Sequence, residues 1–156
     1  MIHCVEDVLT QEELAIFAQH ISTTSKDDFP IFPPAISNSE IKQRVKLLIE
    51  IEFGTTVSDY DFLGLDYNVF SPGEKQDVHT DFSKRADRPD FSSIVYWSKD
   101  FDGGEIYFPE DGVEIKPKAG SLIFWSNPVL HGVKEITRGD RYATSFFWIK
   151  RQTAFP

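Results

Sequence analysis

The stretch Phe91–Ser126, FSSIVYWSKDFDGGEIYFPEDGVEIKPKAGSLIFWS, decides the fold class. Its apolar segments are short, rich in aromatic and β-branched residues, and cut by turn residues, the pattern of strands joined by tight connections. Outward from it, candidate strands run Leu63–Phe70, Val78–Asp81, Phe91–Trp97, Glu105–Phe108, Val113–Lys116, Ser121–Trp125, Gly132–Ile136 and Arg141–Ile149. Turns at Ser71-Pro72-Gly73, Asp102-Gly103-Gly104 and Arg138-Gly139-Asp140 separate them.

The N-terminal third reads differently. Thr10-Gln11-Glu12-Glu13 is a capping box, followed by Leu14, Phe17, Ala18 and Ile21 at helical spacing. A second helix is predicted from about Ser39 to Phe53, with Ile41, Val45, Leu48 and Ile49 on one face and Gly54 as its stop. Between the two, Phe29-Pro30-Ile31-Phe32-Pro33-Pro34 predicts an extended loop. The expected architecture is mainly β with flanking helices. It is a double-stranded β-helix of the jelly-roll or cupin-like kind, with about eight core strands packed by N-terminal helices. Helical support would span 9–54 and the β core 63–150 of one domain, 1–156.

Composition narrows the function. A net charge of −9 argues against nucleic-acid binding, which needs clustered Lys and Arg on the phosphates. No apolar run approaches the ~20 residues of a membrane span, and no basic segment with an apolar one after it opens the chain, so neither membrane insertion nor a secretory leader is expected. Cys4, the single cysteine, cannot form an internal disulfide, which fits a reducing, cytoplasmic or intracellular setting. Fourteen Phe against one Met suit a rigid aromatic sheet core.

His79-Thr80-Asp81 sets an imidazole and a carboxylate two residues apart, on one face if the segment is a strand. With the distant His131 they make the two-His, one-carboxylate set of non-haem Fe(II) oxygenases, which leaves the opposite face of the metal open. An HxD pair is a weak signal alone. Arg141 strengthens it: a hairpin through Arg138-Gly139-Asp140 would return its guanidinium toward the metal, where a planar fork suits the far carboxylate of a dicarboxylic acid. Arg138 is its rival, disfavoured because it is expected within the turn.

From Asp66 to Trp148 the chain resembles the prolyl hydroxylase branch of the 2-oxoglutarate oxygenases, which includes the hypoxia-sensing and the collagen- and algal-type prolyl 4-hydroxylases. The blocks that carry the resemblance are Ser-Pro-Gly (71–73), His79-Thr80-Asp81, residues 95–105 running into Tyr-Phe-Pro-Glu (107–110), residues 118–126, His131, and Arg-Tyr-Ala-Thr-Ser (141–145). The resemblance implies His79, Asp81 and His131 as iron ligands. It implies Arg141 and the Tyr96 phenol on the distal carboxylate of 2-oxoglutarate, and Ser145 as a weaker candidate for that pocket. It also implies dioxygen as co-substrate, ascorbate as reductant, succinate and CO2 as co-products, and hydroxylation rather than halogenation, since Asp81 is present.

The family's second co-substrate tyrosine falls on Phe70 or Ser71, so Tyr67 or Asn68 would have to compensate, and either Phe147 or Trp148 would face the site. The implied substrate is a prolyl residue of a peptide or protein, with the loop Phe82–Asp90 and its Lys84, Arg85 and Arg88 flanking the entrance. The same chemistry on a free amino acid or other small molecule, and a metal-binding jelly-roll module without turnover, are the alternatives.

Overall fold

The computed structural model describes residues 2–24, 36–54 and 60–151. Two helices support eleven strands among these residues: β1 (Ile2–Val5), α1 (Gln11–Thr23), α2 (Asn38–Phe53), β2 (Tyr60–Phe70) and β3 (Gln76–His79) come first. Then follow the one-turn helix α3 (Asp81–Lys84), β4 (Phe91–Tyr96), β5 (Phe101–Gly103), β6 (Ile106–Phe108), β7 (Val113–Ile115), β8 (Leu122–Ser126), β9 (His131–Val133), β10 (Ile136–Gly139) and β11 (Arg141–Lys150). A five-stranded sheet in the order β1-β8-β4-β11-β2 faces a four-stranded sheet in the order β3-β9-β6-β7, and β10 pairs with β5 in a short ribbon. Every strand pairing among the described residues is antiparallel, as the jelly-roll expectation requires.

Alternation along the large sheet explains its nearly continuous apolar strands, because both of its faces are covered. Val95, Trp97, Leu122, Phe124, Tyr142, Phe146 and Trp148 pack on the helix side with Phe17, Ile41, Val45 and Ile49. Tyr96, Ile123, Trp125 and Ala143 turn the other way and meet Ile106 and Phe108 of the small sheet. Ile41, Val45 and Ile49 are at most 1% exposed, and burying each contributes about 1.5–3 kcal/mol. The buried indoles are satisfied: Trp97 Nε1 donates to Thr144 Oγ1 and Trp148 Nε1 to Ser93 Oγ.

The helices begin and end where local chemistry directs. Thr10 Oγ1 accepts from Glu13 N (3.0 Å) while Glu13 Oε1 accepts from Thr10 N (2.8 Å), the predicted capping box. Ser37 caps α2, and Gly54 closes it in the left-handed region at φ 68°. Arg44 of α2 donates to Glu13 Oε1 (2.7 Å) and to the Val8 carbonyl (2.7 Å), tying the two helices together.

Several expectations need correction. Strand β1, absent from the prediction, pairs with β8 at the sheet edge. The predicted strand Gly132–Ile136 is two strands in different sheets, β9 and β10. Part of the predicted turn at Asp102-Gly103 is strand β5, and β2 begins at Tyr60 rather than Leu63. The predicted strand Val78–Asp81 stops at His79, where Thr80 caps α3 through its side chain. The loop Phe29–Pro34 lies outside the described residues. No helix among the described residues is long and apolar enough to cross a membrane.

Candidate active site

The two sheets enclose a cavity of about 330 Å3 whose wall includes His79, Asp81, His131, Asn68 and Arg141. His79 ends β3 and His131 opens β9, and the register pairs them directly. Asp81 joins them from the first turn of α3 instead of from the strand, so its placement depends on the Thr80 cap. Its Oδ1 lies 3.4 Å from His131 Nε2 and 3.6 Å from His79 Nε2. The three donor atoms cluster tightly enough to hold one ion.

Each imidazole is oriented in the same way. Nδ1 of His79 is 2.9 Å from the Asp77 carbonyl oxygen and Nδ1 of His131 is 2.9 Å from that of Val129. A carbonyl only accepts, so Nδ1 carries a proton and donates, which turns Nε2 of each ring toward Asp81. Burial alone would raise the Asp81 carboxyl, but bonds from His131, His79 and Ser92 hold it well below the ordinary carboxylate range. Hydrogen bonding to Asp81 in turn raises the His79 imidazole above its ordinary value, against the opposing pull of burial.

Strand alternation supplies the rest of the cavity wall. Arg141, Ser145 and Phe147 of β11 line the cavity, opposite Phe70, Asp66 and Gly64 of β2. Arg141 is 1% exposed; its Nη2 donates to the Tyr96 hydroxyl (3.3 Å) and its Nη1 to Asn68 Oδ1 (3.4 Å). Its buried Nε has no hydrogen-bond partner, and among the described residues no carboxylate lies in ion-pair reach of it. Burial pulls the guanidinium's pKa down and pushes the Tyr96 phenol up, so the phenol stays protonated.

The remaining predicted residues separate cleanly. Arg138 sits in β10, with 62% of its side chain exposed and Nε donating to Asp102 Oδ2 at 2.7 Å, so it is not the cavity arginine. Of Tyr67 and Asn68, the two expected replacements for the missing tyrosine, Tyr67 does not line the cavity. Strand alternation turns it the other way, where its hydroxyl accepts from Asn38 Nδ2 of α2 (2.8 Å), and its neighbour Asn68 faces Arg141. Phe147 faces the cavity and Trp148 the helix-side core. Of the entrance cations, Lys84 and Arg85 border the cavity, whereas Arg88 lies over the Phe82 ring. Arg85 is held by Asp87 (2.8 Å) and Asp66 (3.4 Å) and stacks over Phe147.

A polar relay escaped the sequence reading. Ser92 Oγ donates to Asp81 Oδ2 and accepts from Asn127 Nδ2 (2.8 Å), and Asn127 Oδ1 accepts from Trp125 Nε1 (3.0 Å). Ser92 lies four residues before Tyr96, so strand alternation alone puts both on the cavity face of β4.

A family model described as the 2OG-Fe(II) oxygenase superfamily matches residues 65–150, more than half of the chain. The chain belongs to the 2OG-Fe(II) oxygenase superfamily. The chain is 37% identical over 93 residues to a PKHD-type hydroxylase of Pseudomonas paraeruginosa, a match covering 53% of the chain and 41% of that protein. To prolyl 3-hydroxylase 2 of Mus musculus it is 43% identical over 68 residues, covering 38% of the chain and 9% of that protein. The chain therefore spans well under half the length of these relatives. In fold it is similar to the viral collagen prolyl hydroxylase of Paramecium Bursaria Chlorella virus-1, with a TM-score of 0.76 at 18% identity, covering 96% of this chain and 90% of that one. A Pseudomonas putida prolyl-4-hydroxylase is similar with a TM-score of 0.71 at 22% identity, covering 99% and 88%.

Proposed function

We propose that the protein is an Fe(II)- and 2-oxoglutarate-dependent dioxygenase that hydroxylates a C–H bond of a prolyl residue in a peptide or protein, the 1–156 chain acting as one domain. The observation that carries this reading is a buried guanidinium with an unpartnered Nε, facing the same cavity as the His79, Asp81 and His131 donor set. A desolvated cation without a carboxylate is costly by itself, and a ligand carboxylate would offset that cost.

In this reading Nε2 of His79, Nε2 of His131 and Oδ1 of Asp81 hold the iron, the donor set suited to Fe(II) with an open face. Bound iron would supply the redox chemistry by which dioxygen couples decarboxylation of 2-oxoglutarate to hydroxylation, one oxygen atom ending in succinate and the other in the substrate, with CO2 released. Arg141 binds the far carboxylate of the co-substrate through its fork, and Tyr96, which accepts from Arg141, keeps its own proton for the same carboxylate. Asn68 steadies the guanidinium from β2. Ile94, Ile106, Val133 and Trp125 surround this pocket with apolar surface, which strengthens the ion pair by excluding water. Ser145 faces the cavity beside Asp66 as a polar wall residue.

The prolyl substrate is supported by the names of the mouse, viral and Pseudomonas putida relatives. The experiment is a panel of proline-containing peptides incubated with the protein, Fe(II), 2-oxoglutarate and ascorbate. Mass spectrometry should find a gain of one oxygen on a prolyl residue. Oxygen gained only on free amino acids or other small molecules would move the substrate class.

A further inference from the structure

We propose that Ser92 is a positioning residue that confines Asp81 to coordination through one carboxylate oxygen, keeping open the metal face that co-substrate and dioxygen must share. The inference rests on the reading of His79, Asp81 and His131 as iron ligands. A carboxylate has two oxygens, and nothing in its own chemistry stops both from bonding one ion. A second oxygen on the metal would take a position that the two-His, one-carboxylate arrangement has to leave vacant.

Ser92 and its relay oppose that second bond. Asp81 Oδ1 faces both imidazoles, whereas Oδ2 is turned to β4 and accepts the Ser92 hydroxyl proton. The serine cannot easily rotate away, because its oxygen accepts from Asn127 Nδ2 (2.8 Å), which directs its single proton at Asp81. The Asn127 amide has one workable orientation. The indole of Trp125 can only donate, so Asn127 must present Oδ1 to it (3.0 Å), and Nδ2 then faces Ser92 and the Pro89 carbonyl (3.0 Å). The Trp125 ring itself lies 4.7 Å from the His131 ring. The relay thus starts against His131 and ends on Asp81, and Ser92 is buried. Turning Oδ2 toward the metal would leave a serine proton and the amide behind it without their partner in a dry site.

The test uses Mn(II) as a redox-stable probe. Wild type, Ser92→Ala, Ser92→Thr and Asn127→Ala are crystallised with Mn(II) and 2-oxoglutarate, and the KM for dioxygen is measured with Fe(II) by succinate formation. The expected result is one Asp81 oxygen on Mn(II) in wild type and Ser92→Thr, and both in Ser92→Ala. The KM for dioxygen should rise about tenfold in Ser92→Ala and less in Asn127→Ala, with that for 2-oxoglutarate within about twofold of wild type. A one-oxygen Asp81 with unchanged KM for dioxygen in Ser92→Ala overturns the proposal. If Ser92→Ala does not fold, an unchanged Asn127→Ala overturns it equally. Wild type failing to bind Mn(II) would instead overturn the iron-ligand reading, and this proposal with it.

Discussion

His79 and His131 are cross-strand partners, with ring centroids 4.4 Å apart at the β3–β9 pairing. Two imidazoles 52 residues apart in the chain are brought together by register, and each is oriented by a carbonyl two residues before it. The site's precision therefore depends on how closely β9 lies between β3 and β6.

Gly132 controls that approach. A Cβ there would lie 2.7 Å from the Tyr107 hydroxyl and 2.9 Å from the Gln76 carbonyl oxygen, on the strands to either side. Gly132→Ala should destabilise the fold by about 1–3 kcal/mol and weaken Mn(II) binding. Thermal unfolding with and without Mn(II) checks both, and a variant with wild-type stability and affinity would show that the small sheet yields freely.

Arg141→Ala should raise the KM for 2-oxoglutarate roughly 10- to 100-fold while Mn(II) affinity stays near wild type, because the guanidinium faces the cavity without touching the metal donors. An unchanged KM would remove Arg141 from the co-substrate site.

Tyr96→Phe keeps a fully buried ring and loses only the hydroxyl that accepts from Arg141. The KM for 2-oxoglutarate should rise about three- to tenfold with little change in melting temperature. Equal kinetics in the two proteins would leave Tyr96 as a packing residue.

Glu13 carries a pH dependence. Burial would raise its carboxyl, but Arg44 and Thr10 outweigh burial and lower it from its ordinary value of 4.5. A depressed folded-state pKa contributes stability above the unfolded value and loses it as pH falls through the folded one. Glu13→Gln should therefore be less stable than wild type by on the order of 1 kcal/mol at neutral pH, and the gap should be smaller at about pH 3. Urea unfolding at both values measures it; a gap that does not change with pH would exclude the Arg44 pair as its source.

Much of this was legible in the sequence because it is local. The Thr10–Glu13 box, the Gly54 stop and the two-residue spacing of His79 and Asp81 involve near neighbours only. The HxD reading still reached its geometry for the wrong reason, since Thr80 ends the strand and Asp81 acts from a helical turn. Choosing Asn68 over Tyr67 requires knowing that Ala143 pairs with Asn68 and Arg141 with Phe70, a register between strands more than seventy residues apart. The edge strand β1 and the three-residue β5 were illegible because their partners, β8 and β10, supply most of their reason to be strands. Ser92 was within reach, since its phase with Tyr96 is a local property, but nothing in the chain announces that Asp81 will come to meet it.

The most direct test of the central claim is the succinate produced per 2-oxoglutarate consumed, with Fe(II) and dioxygen, in wild type and in Asp81→Ala. Wild type should form one succinate for each 2-oxoglutarate lost and Asp81→Ala none above background. No succinate from wild type, or as much from Asp81→Ala, would contradict it.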